Sequence, residues 1–172
     1  MPVYNGEKFI RKCIESILDQ TNRNFELIIS DNASTDLTSD ICTEFLTKDS
    51  RIKFVKQKKN MGANWNYNFL LEKAVGEYFV WVAADTIILP EFLEKNINLL
   101  ESEKKIVGCI SKIKIDQTYL LLTIEHGGYD NFCFSYRELL RMPDCSVEHK
   151  RTNWGLVVFI FFFYPQGLWV CF

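Results

Sequence analysis

The sequence predicts an α/β fold with a mostly parallel sheet and helices on both faces, and three observations support it. Apolar segments of strand length alternate four times with segments of helical periodicity within about the first 115 residues. The segment at residues 78–82 is a continuous apolar run, as expected of a strand covered on both faces. Each pair of strands is separated by a helical stretch, which makes the neighbouring strands parallel and the crossovers right-handed.

The predicted strands are short apolar runs followed by polar turn residues. They are expected at residues 1–4, 25–29, 52–55, 78–82 and 106–115. The first resembles the end of a strand, and we expect its front half to be missing from the numbered start. Ligands of parallel sheets bind beyond the carboxyl ends of the strands. The candidate site therefore lies in the loops that follow the first four strands.

The predicted helices carry apolar residues three and four positions apart. They are expected at residues 7–20, through 41–46, at 63–74 and after Pro90, with a shorter helix at 135–142. Gly76 stands where a glycine would end the third helix. No internal repeat is present.

Composition excludes several classes of function. With 20 basic and 22 acidic side chains the net charge is −2, so no basic excess is available for nucleic acid. The six cysteines form no C-x-x-C pair, and the chain has only two histidines. Both facts argue against a zinc site. Because no signal peptide is recognisable, we expect a cytoplasmic protein with free, buried thiols.

The four candidate loops carry carboxylates and amides rather than glycine-rich phosphate motifs. A carboxylate at a strand end can accept a hydrogen bond from a base, or hold a divalent cation against a diphosphate. Plainer roles remain open for the same residues. Asp31 could cap a turn, Asp85 could simply end a strand, and Tyr4 could pack rather than stack on a ligand.

Four motifs in series make the sequence resemble the nucleotide-binding half of a family-2 glycosyltransferase. They are Met1-Pro2-Val3-Tyr4-Asn5-Gly6-Glu7, Asp31-Asn32-Ala33-Ser34-Thr35-Asp36, Asn60-Met61-Gly62-Ala63-Asn64-Trp65-Asn66, and Gly76-Glu77-Tyr78 leading into Asp85-Thr86-Ile87-Ile88-Leu89-Pro90-Glu91-Phe92-Leu93. The resemblance implies a GT-A fold, a nucleotide-sugar donor with UDP as the expected nucleotide, and inversion at the anomeric carbon. It also implies a part in polysaccharide or glycan biosynthesis.

The resemblance also implies roles for individual residues. Pro2, Tyr4 and Glu7 match the loop that grips the nucleoside, and Asp31 matches the carboxylate that contacts the base. The loop and helix start that approach the donor match Gly62 and Asn66.

Asp85 matches a metal-binding Asp, which implies Mg²⁺ or Mn²⁺ as the cofactor. Two departures from the family pattern stand out. Thr86 replaces a second Asp, and Trp65 replaces a basic residue that would help to bind the diphosphate.

The chain divides by resemblance into two parts. Residues 1–115 match the nucleotide-sugar-binding core, and residues 116–172 form a partial acceptor-side region. The acceptor would be a glycan or a lipid-linked sugar, with possible association at the inner face of the membrane. The late acids Asp130, Asp144 and Glu148 lack the family's surrounding pattern, so the catalytic base is not assigned.

The uncharged tail at residues 155–172 departs from the family and suggests a truncated or frame-shifted product. Its 18 residues reach only the lower limit of a membrane span, and a packed strand pair or a disordered end is favoured over a spanning helix. Two other functions remain open. One is a catalytically inactive donor-binding remnant or interaction module, and the other is a nucleotidyltransferase on a similar sheet.

Overall fold

The computed structural model describes residues 1–102 in full and the backbone of four strands between residues 106 and 135. The helices are α1 (Ile10–Leu18), α2 (Thr38–Lys48), α3 (Ala63–Lys73) and α4 (Phe92–Ser102). The strands are β1 (Pro2–Val3), β2 (Leu27–Asp31), β3 (Ile52–Lys56), β4 (Thr86–Ile88), β5 (Ile106–Ile110), β6 (Lys112–Ile115), β7 (Leu120–Thr123) and β8 (Phe132–Ser135). The tail at 155–172, and the predicted helix at 135–142 apart from Ser135, lie outside the described residues.

The first three strands form a parallel sheet in the order β1-β2-β3, which confirms the predicted α/β architecture. Pro2 pairs with Ser30, and β2 and β3 pair from Leu27↔Ile52 to Asp31↔Lys56. Helices α1 and α2 make the two crossovers. The carboxyl ends of all three strands consequently lie at one edge of the sheet.

Helices cover both faces of this sheet, as predicted. Ile29 packs in the larger core cluster, which includes Ile14 of α1 and Phe45 of α2. Its neighbour Ile28 points to the opposite face and packs with Leu70 of α3. The alternation follows from the two-residue period of a strand. Because both faces of β2 are covered, all five of its residues are buried.

The prediction of a strand at residues 78–82 is wrong. Only Val80 forms an isolated bridge, and the regular strand of this part of the chain is β4, which pairs with β7. Trp81 is nevertheless buried, because its ring packs edge-on against Tyr67 and Phe79. The apolar run therefore marks chain that is partly buried at residues 78–80 and buried at Trp81 and Val82, but it does not indicate the hydrogen bonding of that chain.

Two further boundaries differ from prediction. The strand expected at residues 106–115 is two strands in different sheets, β5 pairing with β8 and β6 with β7. Helix α3 ends at Lys73 with an extended C-cap at Ala74, so Gly76 is not its terminating glycine. Among the described residues, no helix combines the length and apolarity needed to cross a membrane.

An apolar groove of about 620 Å³ opens near the amino end of β2. Its lining includes Phe25, Leu27, Val80 and Phe92. The groove lies away from the carboxyl edge, where the sequence places the candidate site.

Candidate functional site

Four loops make up the candidate site. Loop A (residues 4–9), loop B (32–37) and loop C (57–62) follow β1, β2 and β3 at the carboxyl edge. Loop D (83–85) precedes β4. It lies beside loop A, which brings it to the same edge of the sheet. A Cβ atom added to Gly6 would lie 3.7 Å from that of Ala84, and the Cys13 thiol of α1 donates to the Ala83 carbonyl at 3.3 Å. The loops predicted to carry the site therefore meet.

Asp31 is fully buried and organises loop B from below. One carboxylate oxygen accepts the backbone N–H of Ser34 at 2.9 Å and the Ser34 hydroxyl, and the other accepts the hydroxyl of Ser39. Ala33, within the turn so formed, has a φ of 63°. With its side chain at 0% exposure, Asp31 supports the rim and does not present its carboxylate to a base in this structure.

Loops A and B are joined by hydrogen bonds in both directions. The backbone N–H of Asn5 donates to the Ser34 hydroxyl at 2.8 Å, and the side-chain Oδ1 of Asn5 accepts the backbone N–H of Thr35 at 2.9 Å. Glu7 repeats the pattern, because its N–H donates to Asp36 Oδ2 and its Oε2 accepts the N–H of Leu37, both at 3.0 Å. This network of hydrogen bonds fixes loop A relative to loop B.

The carboxylate of Asp36 sits at the centre of this junction. Partial burial acts to raise its pKa, but the hydrogen bonds that it accepts from Thr38 and from the Glu7 N–H outweigh burial. The pKa of Asp36 is therefore lowered from its ordinary value, and the carboxylate is charged at neutral pH.

Asn32 joins loop B to loop C. Its Nδ2 donates to Asn60 Oδ1 at 2.9 Å and to the Gly62 carbonyl at 3.1 Å, while its Oδ1 accepts the Met61 N–H at 2.9 Å. Gly62 then takes φ 87° and ψ 161°, a conformation that glycine adopts readily and other residues avoid. Nothing lies within 4 Å of a Cβ added there, so the backbone alone requires glycine.

Two more of the predicted donor-binding residues lie beneath the rim. Asn66 is 2% exposed, accepts the Ser30 hydroxyl and donates to the Ser30 carbonyl at 2.9 Å, which anchors α3 to β2. Pro2 is a buried residue of β1. Both therefore act as supports in this conformation, because their side chains are screened from a ligand at the edge.

The remaining predicted residues reach the surface. Tyr4 is 50% exposed, and Glu7, Gly62 and Asp85 are also exposed. The Asp85 carboxylate makes no hydrogen bond or ion pair with the described residues. The neighbouring Thr86 side chain is fully buried, and its hydroxyl has no hydrogen-bond partner in the described part of the chain. Thr86 thus supplies no second ligand at the rim.

Metal binding at this edge would depend on Asp85 and the donor together. Within residues 1–102, no three side chains of the metal-binding types lie together. One exposed carboxylate still fits Mg²⁺ or Mn²⁺, because these ions are commonly held by one or two carboxylates plus substrate phosphates.

Sequence reasoning missed two features of the site. Asn5 and Asn32 carry most of the loop-to-loop hydrogen bonds, although their residue types indicated only turns. Loop C and the end of β3 also carry the exposed lysines Lys56, Lys58 and Lys59. Their clustering before Asn60 was visible in the sequence and marks the basic side of the rim.

Two thiols lie behind the rim, and both are free, as predicted. Cys13 and Cys42 are buried, and burial raises the pKa of each thiol to about 12. The charge of Asp31 contributes to the shift at Cys42, and that of Asp85 contributes to the shift at Cys13.

Comparison with curated proteins finds relatives that are described as glycosyltransferases. The chain is 36% identical over 94 residues to the glycosyltransferase GlyG of Streptococcus pneumoniae serotype 4, covering 55% of this chain and 31% of GlyG. It is 34% identical over 116 residues to the putative glycosyltransferase EpsH of Bacillus subtilis, covering 67% of this chain and 33% of EpsH. The chain thus spans about a third of the length of these relatives.

Solved structures agree on the fold. TarS of S. aureus in complex with UDP superposes with a TM-score of 0.62 at 27% identity, covering 67% of this chain and 35% of TarS. The mannosyltransferase PcManGT of Pyrobaculum calidifontis, solved with GDP-Man and Mn²⁺, matches at a TM-score of 0.60 and 24% identity, covering 66% of this chain and 34% of that protein, and shows likeness of fold alone. The family model for glycosyl transferase family 2 matches residues 1–160. This chain belongs to glycosyl transferase family 2.

Proposed function

We propose that this chain binds a nucleotide-sugar donor and takes part in an inverting transfer of the sugar to an acceptor hydroxyl. UDP is the expected nucleotide, and Mg²⁺ or Mn²⁺ the expected cation. One observation carries the proposal. The exposed carboxylate of Asp85 follows Ala84, which lies beside loop A, and hydrogen bonds tie loop A to loop B and loop B to loop C at the carboxyl edge of a parallel sheet.

Each rim residue has a role in this proposal that its position supports. Tyr4 and Glu7 of loop A would contact the nucleoside, since Tyr4 presents half of its side chain to solvent. Gly62 would let the donor approach the backbone of loop C closely. Asp31, Asn66 and Pro2 would act from below, by holding loop B, helix α3 and strand β1 in place.

The diphosphate would lie beside Asp85, where loop D reaches loop A, and the basic side of the rim would attract it. Lys56, Lys58 and Lys59 give loop C and its flank positive charge, and no acidic residue occurs between positions 56 and 62. The Asp85 carboxylate alone would repel a diphosphate, so a divalent cation is required between them. A bound cation would neutralise the charge that develops on the departing diphosphate.

Solved relatives support the choice of ligand. TarS has been solved with UDP and with UDP-GlcNAc, and PcManGT with GDP-Man and Mn²⁺. The sugar and the acceptor of this chain stay open within the proposal, as do action in polysaccharide or glycan biosynthesis and association with a membrane surface.

Titration calorimetry tests the proposal directly. The protein is titrated with UDP in the presence of Mn²⁺, with EDTA in a parallel run. We expect saturable heat that depends on the metal. Folded protein that gives no heat with UDP or GDP, with or without Mn²⁺, contradicts donor binding.

A donor-binding module without transfer activity is the second candidate. Thr86 stands where relatives carry a second Asp and its side chain is buried, so Asp85 is the single carboxylate of its motif, which favours weak metal binding. Slow metal-dependent hydrolysis of UDP-GlcNAc would identify an enzyme. Saturable binding without turnover would identify the module.

A further inference from the structure

The groove at the amino end of β2 is apolar along its floor and acidic at its rim. Its apolar lining comes from β2, from the end of α3, from residues 78–82 and from α4. Three glutamates, Glu26, Glu77 and Glu101, also line it, and none of the described lining residues is basic. Its volume of about 620 Å³ falls within the range of ligand pockets, roughly 300–1,000 Å³. The groove is therefore large enough for a ligand and carries charge of one sign.

Two of the three carboxylates have no cationic partner in the described part of the chain. Glu26 is held by Lys53, whose Nζ lies 2.6 Å from Glu26 Oε2. Glu77 and Glu101 are exposed and form no ion pair with the described residues. Their charges reach Tyr78, which also lines the groove, because burial and then Glu77 and Glu101 raise the pKa of its hydroxyl. Negative charge beside an apolar floor suits a ligand that is apolar and carries positive charge.

One wall of the groove is the edge of a β-strand. Strand β2 pairs with β3 over all five of its residues, but with β1 only at Ser30 and Asp31. The amino group of Met1 donates to the Ile28 carbonyl at 2.7 Å, and pairing on this side goes no further among the described strands. Leu27 and Ile28, where the pairing stops, line the groove. Such an edge can accept an extended segment through main-chain hydrogen bonds.

A second wall is the apolar stretch at residues 78–82. Phe79, Val80 and Val82 line the groove, and Val80 forms an isolated bridge. An extended segment seated between β2 and this stretch would continue the line of β1. Its side chains would alternate between the two faces of the sheet, and apolar groups of α3 and α4 line the groove there.

We propose that the groove binds an extended apolar peptide with basic residues at its ends, which adds to the free edge of β2 in line with β1. Main-chain hydrogen bonds to β2 supply affinity, and Glu77 and Glu101 select the basic ends. Because the groove lies away from the carboxyl edge, the inference goes beyond the proposed function and does not depend on it.

Fluorescence anisotropy with labelled synthetic peptides tests the proposal. The probe peptide alternates valine and isoleucine between flanking lysines. A second peptide has glutamates in place of the lysines. A third keeps the lysines but carries N-methyl groups along the apolar stretch, which removes the amide hydrogens that strand pairing needs.

We expect saturable binding of the lysine-flanked peptide to the unaltered protein. The glutamate-flanked peptide should bind about tenfold more weakly, as the exchange of two attractive charge pairs for repulsive ones suggests. The N-methylated peptide should also bind about tenfold more weakly, as the loss of two ordinary hydrogen bonds suggests.

The decisive variant is Glu77→Lys, because it reverses an exposed charge of the rim outside every helix and strand. It should weaken binding of the lysine-flanked peptide about threefold and strengthen binding of the glutamate-flanked peptide by a similar factor. Glu101→Lys should act in the same direction from α4. Glu72→Lys is the matched control, since it makes the same change at an exposed position of α3 that does not line the groove. It should leave both affinities unchanged.

Three outcomes with folded protein overturn the proposal. The first is no saturable binding of the lysine-flanked peptide. The second is equal affinity for the lysine-flanked and glutamate-flanked peptides, which removes selection by charge. The third is equal affinity for the N-methylated peptide, which shows an apolar pocket without strand addition.

Two other occupants are recognised with the same protein, and either would also overturn the proposal. A dimer seen by light scattering without peptide, and lost in Glu77→Lys, would assign the groove to a second copy of the chain. Laurate that displaces the lysine-flanked peptide and binds more tightly than it does would assign the groove to a lipid chain.

Discussion

Asp31 and Asp85 both stand at the carboxyl edge of the fold, yet their surroundings are opposite. Asp31 ends β2, is fully buried and accepts hydrogen bonds from Ser34 and Ser39. Asp85 precedes β4 and is exposed, and its carboxylate makes no hydrogen bond or ion pair with the described residues. The comparison shows that one carboxylate builds the rim and the other is available to a ligand, although the sequence motif suggests ligand contact for both.

Replacing Asp31 should give the largest effect. Asp31→Ala leaves the Ser34 N–H and two serine hydroxyls without their buried acceptor, and each unsatisfied group costs about 1–3 kcal/mol. We expect the free energy of unfolding to fall by about 3 kcal/mol or more. Urea denaturation followed by circular dichroism measures it. A loss below about 1 kcal/mol would contradict the buried network.

Replacing Asp85 should change binding and leave stability almost unaltered. Asp85→Ala removes an exposed side chain, so the free energy of unfolding should change by less than about 0.5 kcal/mol. Metal-dependent UDP affinity should fall about tenfold or more, since even changes beyond the direct ligands lower metal affinity by that factor. Calorimetry with and without Mn²⁺ measures it, and Asp40→Ala serves as the exposed control. Equal UDP affinity in both variants would exclude Asp85 as a metal ligand.

Alkaline pH should destabilise the fold through the two thiols behind these carboxylates. Burial raises the pKa of Cys13 and Cys42 from 9.0 to about 12 in the folded protein. The folded state therefore keeps protons that the unfolded state releases above pH 9. Stability is complete below pH 9 and is lost as the pH rises towards 12. Urea midpoints across this range measure the loss, and a flat profile would contradict burial of the thiols.

The same thiols report on each region separately. In the unaltered protein both should react slowly with iodoacetamide at pH 8, because the thiolate is the reactive form. Asp31→Ala should speed labelling at Cys42 by loosening loop B, whereas Asp85→Ala should leave Cys13 protected. Peptide mass mapping distinguishes the two sites. Parallel changes at both cysteines would show that the two regions open together.

The smallest effect is expected at Ala33, which the Asp31 turn holds at a φ of 63°. Left-handed backbone costs an ordinary residue about 1–2 kcal/mol, and glycine avoids most of this strain. Ala33→Gly should therefore raise the free energy of unfolding, by about 0.5 kcal/mol after the entropy of glycine is counted. Urea denaturation tests it, with Ala63→Gly at the start of α3 expected to destabilise.

The sequence predicted the order of elements well because periodicity and turn residues are local signals. Helix α3 at 63–73 and the parallel pairing of β1, β2 and β3 appear as expected. Residues 78–82 failed because an apolar run records burial, while pairing depends on which chain segment lies alongside. The prediction of one continuous strand at residues 106–115 failed for the same reason. The strands β5 and β6 are separate because each pairs with a different strand from later in the chain.

The site was predicted less completely than the fold. The motifs identified loops that do meet at one edge of the sheet, because strand ends are visible in the sequence. They did not distinguish Asp31 and Asn66, which point inward, from Tyr4 and Asp85, which are exposed. That distinction arises from contacts with Ser34, Ser39 and Ser30, and side-chain direction at a strand end depends on such long-range partners.

The hydrogen bonds that join loops A, B and C are made entirely by groups of the chain itself. Most of the entropy needed to order these loops is therefore lost during folding and not when a nucleotide arrives. Association should then be limited by diffusion and electrostatic attraction rather than by loop closure, with little change in amide exchange of loops A and B on saturation. Under the proposed function, loops ordered in this way would favour rapid exchange of spent nucleotide for fresh donor.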